Sequence, residues 1–241
     1  DDAFYDFKEV ALPILKKYNV PVNLNVITSC ATSGIPHWTQ KIACLAEEFC
    51  RKSLEPQSTF NNISYTSCRP GYEENLAHEM YELLKLKCDD EINNEIDIFE
   101  KQLKYNRDNY TRMMTWTDLR EAIADYPLLS IGSHTLNHPF LPKYKNIQEL
   151  ENEIFQSKEI IEKKLDINID TFALPNGGIN REIISVIERS TYDWILLTDM
   201  EISLVQTDKV YLNRLSPYYE SRSENIFSLY GFHKKFSKRK T

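Results

Sequence analysis

Leu128-Leu129-Ser130-Ile131, followed at once by Gly132-Ser133-His134-Thr135-Leu136-Asn137-His138-Pro139, is the stretch on which the fold turns. Its first four residues make a short apolar run of strand length, and the glycine and proline that bracket the remainder mark a loop. Outward from it the same unit recurs. Thr171-Phe172-Ala173-Leu174 runs into Pro175-Asn176-Gly177-Gly178, and Trp194-Ile195-Leu196-Leu197 and Val210-Tyr211-Leu212 are further strand-like runs. Pro21 to Thr28 alternates Val22, Leu24 and Val26 on one side with Asn23 and Asn25 on the other, the period of a strand. Helix-period patterns lie at 6–18, 117–125, 147–165 and 179–190, with a last one at 223–236. In the first of them Asp6 is a candidate cap and Pro13 a kink or restart. Strands and helices in alternation predict parallel βαβ units, hence an α/β fold.

One segment breaks the alternation. Residues 30–113 carry long, polar, helix-period stretches at 37–54, 72–88 and 90–105, divided by Ser-, Asn- and Pro-rich clusters such as 58–70. That is too long for a structureless loop. It reads as a helical insertion within a single domain spanning 1–241.

The chain has 241 residues, 41% hydrophobic and 27% charged, with 36 acidic against 29 basic side chains and a net charge of −7. Such a composition excludes a disordered or collagen-like chain. The acidic excess argues against nucleic acid as a partner, because phosphate binding draws on surplus Lys and Arg. No apolar run reaches the ~18 residues that mark a transmembrane segment. The basic run Lys234, Lys235, Lys238, Arg239 and Lys240 reads as a solvated tail. Cysteines at 30, 44, 50, 68 and 88 are odd in number and form no C-x-x-C pair. They fit neither a zinc knuckle nor a fully paired disulfide framework, so a reducing compartment is expected. The opening at Asp1-Asp2, without Met or a leader-like stretch, is read as a missing upstream segment.

Chemistry-bearing residues gather where the strands end, the usual place for function in α/β folds. His134 and His138 are four apart, so both imidazoles face one way if the loop makes a helical turn. With one carboxylate from Asp1-Asp2 they would form a two-His, one-carboxylate set that leaves positions open for water and substrate, suiting a divalent metal. On spacing alone the bland readings stand beside this one: such histidines are commonly surface or core residues, and Asp pairs commonly cap helices. Three of the six glycines, Gly132, Gly177 and Gly178, sit in these loops, where backbone turns sharply or approaches substrate.

Asp1-Asp2 resembles the end of a Thr-Phe-Asp-Asp-Gly motif, Ser133-His134-Thr135-Leu136-Asn137-His138-Pro139 a metal-binding His motif, and Phe172-Ala173-Leu174-Pro175-Asn176-Gly177 a third motif. Together, in this order, they resemble the polysaccharide deacetylases, the NodB-homology group or carbohydrate esterase family four. The linking segments Leu12 to Pro21, Met114 to Arg120 and Tyr211 to Leu215 are similar too, and the branch associated with bacterial surface-polysaccharide synthesis also carries a long helical insertion. The resemblance implies a distorted (β/α)7-type barrel, here begun one strand late, that hydrolyses the acetamide of an N-acetylated glycan. Carried over by position, it makes Asp2, His134 and His138 the metal ligands and Asp1 the general base. It also places Pro175, Asn176 and Gly177 at the substrate, with the Asn176 N–H as oxyanion donor. The implied cofactor is a divalent metal, zinc by ligand type, with cobalt, nickel or manganese as alternatives. Thr135 and Asn137 are expected to brace the His loop. The implied setting is bacterial, cytoplasmic or at the cell envelope, with the cytoplasm favoured.

The chain departs from the family pattern in two places. Many members carry an Arg two residues before the motif-three Pro to orient the base; here that residue is Ala173, and Arg214 is the candidate replacement. The late segment that supplies a general-acid His in relatives reads Leu196-Leu197-Thr198-Asp199, leaving the proton donor to the amine unassigned. His37 and His78 would reach the site only if the insertion folds over it, and His233 is expected at the surface. Asp193-Trp194 is read as a buried strand start, and Tyr218 and Tyr219 as candidates to stack on a sugar. The departures keep two alternatives in view: a silent carbohydrate-binding module, and a hydrolase of O-acetyl or N-formyl groups.

Overall fold

The computed structural model describes residues 1–52, 58–60, 63–65, 71–198 and 209–214. A π-helical turn, Phe7–Ala11, runs without a break into α1 (Leu12–Tyr18), and β1 (Val22–Val26) follows. Then come α2 (Thr28–Ser33), α3 (Trp38–Lys52), the short strands β2 (Ser58–Phe60) and β3 (Ile63–Tyr65), α4 (Glu73–Leu84) and α5 (Asp89–Leu103). The alternating part resumes with α6 (Trp116–Asp125), β4 (Leu129–Ser133), α7 (Ile147–Glu151), a second π-turn (Asn152–Gln156) and α8 (Ser157–Leu165). It ends with β5 (Thr171–Ala173), α9 (Arg181–Arg189), β6 (Trp194–Leu196) and β7 (Val210–Leu212).

The five long-range strands form one parallel sheet in the order β1-β4-β5-β6-β7, so the α/β architecture expected from the alternation is what forms. Closure into the expected seven-stranded barrel is not seen among the described residues. Helices cover the sheet because each offers an apolar stripe. On α9, Ile183, Val186 and Ile187 are buried while Arg181, Glu182 and Arg189 face water, and Asn180 caps the helix by accepting from the Ile183 N–H at 2.8 Å. With Leu119, Ile161, Phe172 and Ile195 they belong to the main core, each side chain contributing about 1.5–3 kcal/mol of burial. The helices α3, α4 and α5 close around a second apolar cluster that includes Trp38, Phe49, Phe60, Met80 and Phe99.

Several expectations change. Asp6 makes no capping hydrogen bond, and Pro13 is the second residue of α1, directly after the π-turn, at the junction of the two helical pieces. The pattern at 147–165 is three consecutive helical pieces with the π-turn in the middle. Trp194 is 42% exposed rather than buried, because the strand's other face meets the core. Cys50 is disulfide-bonded, while Cys30, Cys44 and Cys88 are free thiols. Among the described residues no helix is long and apolar enough to cross a membrane. The expected helix at 223–236, Tyr218, Tyr219, His233, Asp199 and the basic run at 234–240 lie outside the described residues.

Candidate active site

The loops that leave β1, β4, β5 and β7 meet the N-terminal Asp pair at one end of the sheet. His134 follows β4 directly, held by its N–H to Val26 O at 2.9 Å. The segment 134–138 is a loop, not the helical turn considered from the sequence: Thr135 and His138 both adopt left-handed backbone, with φ of 68° and 57°. Such conformations persist only when the surroundings impose them. Here Thr135 Oγ1 accepts from the His138 N–H at 3.0 Å, and Glu153 accepts at 3.0 Å from the Leu136 N–H, the Asn137 N–H and Asn137 Nδ2. Thr135 and Asn137 thus brace the loop as expected. Glu153, buried on the π-turn, is a brace the sequence reading missed.

His134 Nε2 lies 3.5 Å and His138 Nε2 3.3 Å from Asp2 Oδ1, and among the described residues these three offer ligand atoms all within 4.8 Å of one another. Asp2 Oδ1 is buried with no hydrogen-bond partner. A bare buried carboxylate oxygen is costly, whereas a cation among the three atoms would satisfy it. Metal–ligand bonds of about 2.0–2.2 Å at tetrahedral angles put neighbouring ligand atoms about 3.3 Å apart, close to the spacing found. His134 Nδ1 lies 2.8 Å from Ala173 O, which fixes its proton on Nδ1 and turns a bare Nε2 lone pair toward Asp2. Burial pushes His134 down to about 4 and His138 well below its ordinary value, so both are neutral imidazoles at neutral pH. The residues fit a divalent metal.

Asp1 sits beside this set. Arg214 Nη1 donates to both of its carboxylate oxygens, at 2.7 and 2.6 Å, while Arg214 Nε donates to Leu197 O at 3.1 Å. Asn25 Nδ2 donates to Asp1 Oδ1 at 2.7 Å, and Asn25 Oδ1 in turn accepts from Asn23 Nδ2 at 2.7 Å. Asn25, read from the sequence only as the polar side of a strand, is buried inside β1 and aimed at the site. Its register partner is Gly132, where an added Cβ would lie 2.2 Å from Asn25 Oδ1. Gly132 is therefore a strand residue that makes room for Asn25, not the turn expected.

The motif-three loop does turn sharply: Asn176, Gly177 and Gly178 all have left-handed φ, at 56°, 65° and 77°. Pro175 is buried at its start. Asn176 Nδ2 donates to His138 O at 3.3 Å, so this loop docks on the His loop. At Gly177 a Cβ would meet Thr198 Oγ1 at 2.7 Å.

The helical segment folds over the site. Trp38 Nε1 donates to His138 O at 3.0 Å, and the His37 ring lies 4.2 Å from that of His138. Burial pushes His37 down to about 4. His78 stays exposed, stacked beside Tyr81. Burial also pushes the nearby Cys30 thiol up to about 12, away from the thiolate form.

Two solved structures share this fold. IcaB from Ammonifex degensii superposes with a TM-score of 0.54 at 12% identity, over 96% of this chain and 70% of that one. The Streptococcus pyogenes deacetylase PplD, in complex with acetate, gives 0.51 at 20% identity over 89% of this chain. The chain spans about 60% of the length of PplD. No curated protein matches it in sequence. The polysaccharide deacetylase family profile matches residues 1–195, which takes in both aspartates, the His loop and the motif-three loop. The chain belongs to the polysaccharide deacetylase family.

Proposed function

We propose that the protein is a metal-dependent hydrolase that removes N-acetyl groups from an N-acetylated sugar of a bacterial polysaccharide or lipid-linked glycan. The observation that carries this reading is the convergence of Asp2, His134 and His138 on a carboxylate oxygen with no other partner, with Asp1 alongside. Asp2 Oδ1 and the two Nε2 atoms would hold the cation, zinc by ligand type. When bound, such a cation acidifies water and polarises the acetyl carbonyl. Asp1, oriented by Arg214 and Asn25, takes the proton from the attacking water as its oxygen bonds to the acetyl carbon. The Asn176 N–H donates to the oxygen on which charge develops, with Pro175 and Gly177 shaping the loop that presents it. Cleavage of the carbon–nitrogen bond then leaves acetate and, once protonated, the free amine of the sugar.

In this reading residues 30–113 are an insertion within a single deacetylase domain, and they wall one side of the site. The disulfide at Cys50 favours an oxidising, cell-envelope setting over the cytoplasm. The test is incubation with N-acetylhexosamine glycans, with acetate and free amine quantified together. Equal release of both, abolished by a chelator and restored by zinc, is expected. Acetate without amine would mean an O-acetyl hydrolase, formate an N-formyl hydrolase, and glycan binding without turnover a silent module.

A further inference from the structure

Among the described residues two buried side-chain atoms lack a hydrogen-bond partner: Asp2 Oδ1 and His37 Nε2. They face each other at 3.8 Å. The first is explained by the metal centre proposed above. The second belongs to the helical segment, and nothing in the mechanism so far uses it.

His37 is not placed as a fourth ligand. Its Nε2 is farther from Asp2 Oδ1 than either of the other histidines, and it falls outside the set of mutually close ligand atoms. The protons point the same way. His134 Nδ1 faces a carbonyl, which can only accept, so its Nε2 is a bare lone pair ready for a cation. His37 Nδ1 instead faces the hydroxyl of Thr39 at 2.7 Å, which can donate to it. A hydrogen bond from that hydroxyl to Nδ1 leaves the proton of a neutral ring on Nε2. The arrangement therefore favours a proton on Nε2, making that atom a donor that lies beyond hydrogen-bond reach of Asp2.

The ring is also held still. It packs on His138 and, at 6.0 Å between centroids, near Phe4, while the adjacent Trp38 is tied to His138 O. His37 also lines a cavity of about 480 Å³ whose polar lining includes Ser29, Ser33, Lys41 and Asn137, within the range that holds small ligands. His37 is thus shared between the proposed metal centre, 3.8 Å from Asp2 Oδ1, and the wall of that cavity.

On the reading of the site given above, we infer that His37 is a catalytic residue contributed by the helical segment, its Nε2–H donating a hydrogen bond to the acetyl group of the bound glycan. The segment then completes the active site rather than merely decorating the fold. Thr39 is the positioning residue that fixes the tautomer.

The test compares His37→Leu, His37→Gln and the exposed control His78→Ala, with thermal melting to check folding. Zinc affinity of the metal-free protein and acetate affinity of the zinc-loaded protein are measured by calorimetry, with acetate release from the glycan where it is turned over. In His37→Leu zinc affinity should stay within about 2-fold, acetate binding should weaken by about 10-fold, and kcat should fall by about 10²-fold, the scale of losing one positioned donor. His37→Gln, whose amide N–H can take the same place, should recover part of each loss. Acetate binding unchanged in His37→Leu overturns the inference, and so does a large loss of zinc affinity, which would make His37 a ligand. Failure of the wild-type protein to bind zinc at all would instead overturn the reading of the site on which the inference rests.

Discussion

Arg214 Nη1 bridges the two carboxylate oxygens of Asp1 at 2.7 and 2.6 Å, a contact across 213 positions of sequence. In the proposed reading it supplies, from the end of β7, the guanidinium that Ala173 at the end of β5 does not. Arg214→Ala should lower kcat by about 10²-fold, the scale of a general base that is no longer aimed, with KM nearly unchanged. Arg214→Lys should recover part of the loss. Steady-state kinetics of the three proteins are the check, and a fall confined to KM would assign Arg214 to substrate binding instead.

Gly132 and Asn25 are fitted to each other. A methyl at 132 would meet Asn25 Oδ1 at 2.2 Å and the Thr171 carbonyl at 3.1 Å. Gly132→Ala should cost about 1–3 kcal/mol, as overpacked sites do, and should lower activity by pushing Asn25 off Asp1. Adding Asn25→Ala should restore part of the stability but none of the activity. Denaturant melts and kinetics of the double-mutant cycle separate the two effects.

Glu153 holds the His loop by three hydrogen bonds from Leu136 and Asn137. Glu153→Leu removes the acceptor of two part-buried backbone N–H groups, at about 0.5–1.5 kcal/mol each. Because that loop carries both histidines, zinc affinity should fall about 10–100-fold, as for other residues that orient metal ligands. Calorimetric zinc titration reads this directly, and unchanged affinity would show that the loop keeps its shape without the brace.

Asp118 closes the capping box of α6 with Thr115 and pairs with Lys8 at 2.8 Å. Burial alone would raise its pKa, but the hydrogen bonds from Lys8 and Thr115 outweigh it and hold the carboxyl at about 2. The folded-state value lies below the ordinary 3.8, so the stabilisation is present above about pH 4 and is lost as pH falls toward 2. Asp118→Asn should cost about 1–2 kcal/mol at pH 7. The stability curves of the two proteins should converge below pH 2. Curves that stay parallel would contradict the assignment.

The sequence carried the alternation of the sheet and its helices, since each strand is a short apolar run and each helix has its own apolar stripe. It also carried Asp1, Asp2, His134, His138, Asn176 and Arg214, because their motifs are contiguous or sit at a strand end. Asn25 and Glu153 were not legible as site residues, and His37 was so only on the condition that the insertion folds over the site. Asn25 looks like the solvent face of a half-buried strand until β4 packs against it with Gly132 opposite. Glu153 is one of several acids on an amphipathic helix, and only the π-turn aims it inward. His37 lies about 100 residues from His138, and the packing of α3 on the His loop is what joins them. In each case long-range packing, not local pattern, makes the contact.

The most direct measurement is a zinc titration of the metal-free protein beside Asp2→Asn and His134→Ala. The account predicts one tightly bound ion per chain in the wild type and a loss of about 100-fold or more in each variant, because each removes one of three ligands. A wild-type protein that binds no zinc, or variants that bind it as well as the wild type, would contradict a metal centre at Asp2, His134 and His138.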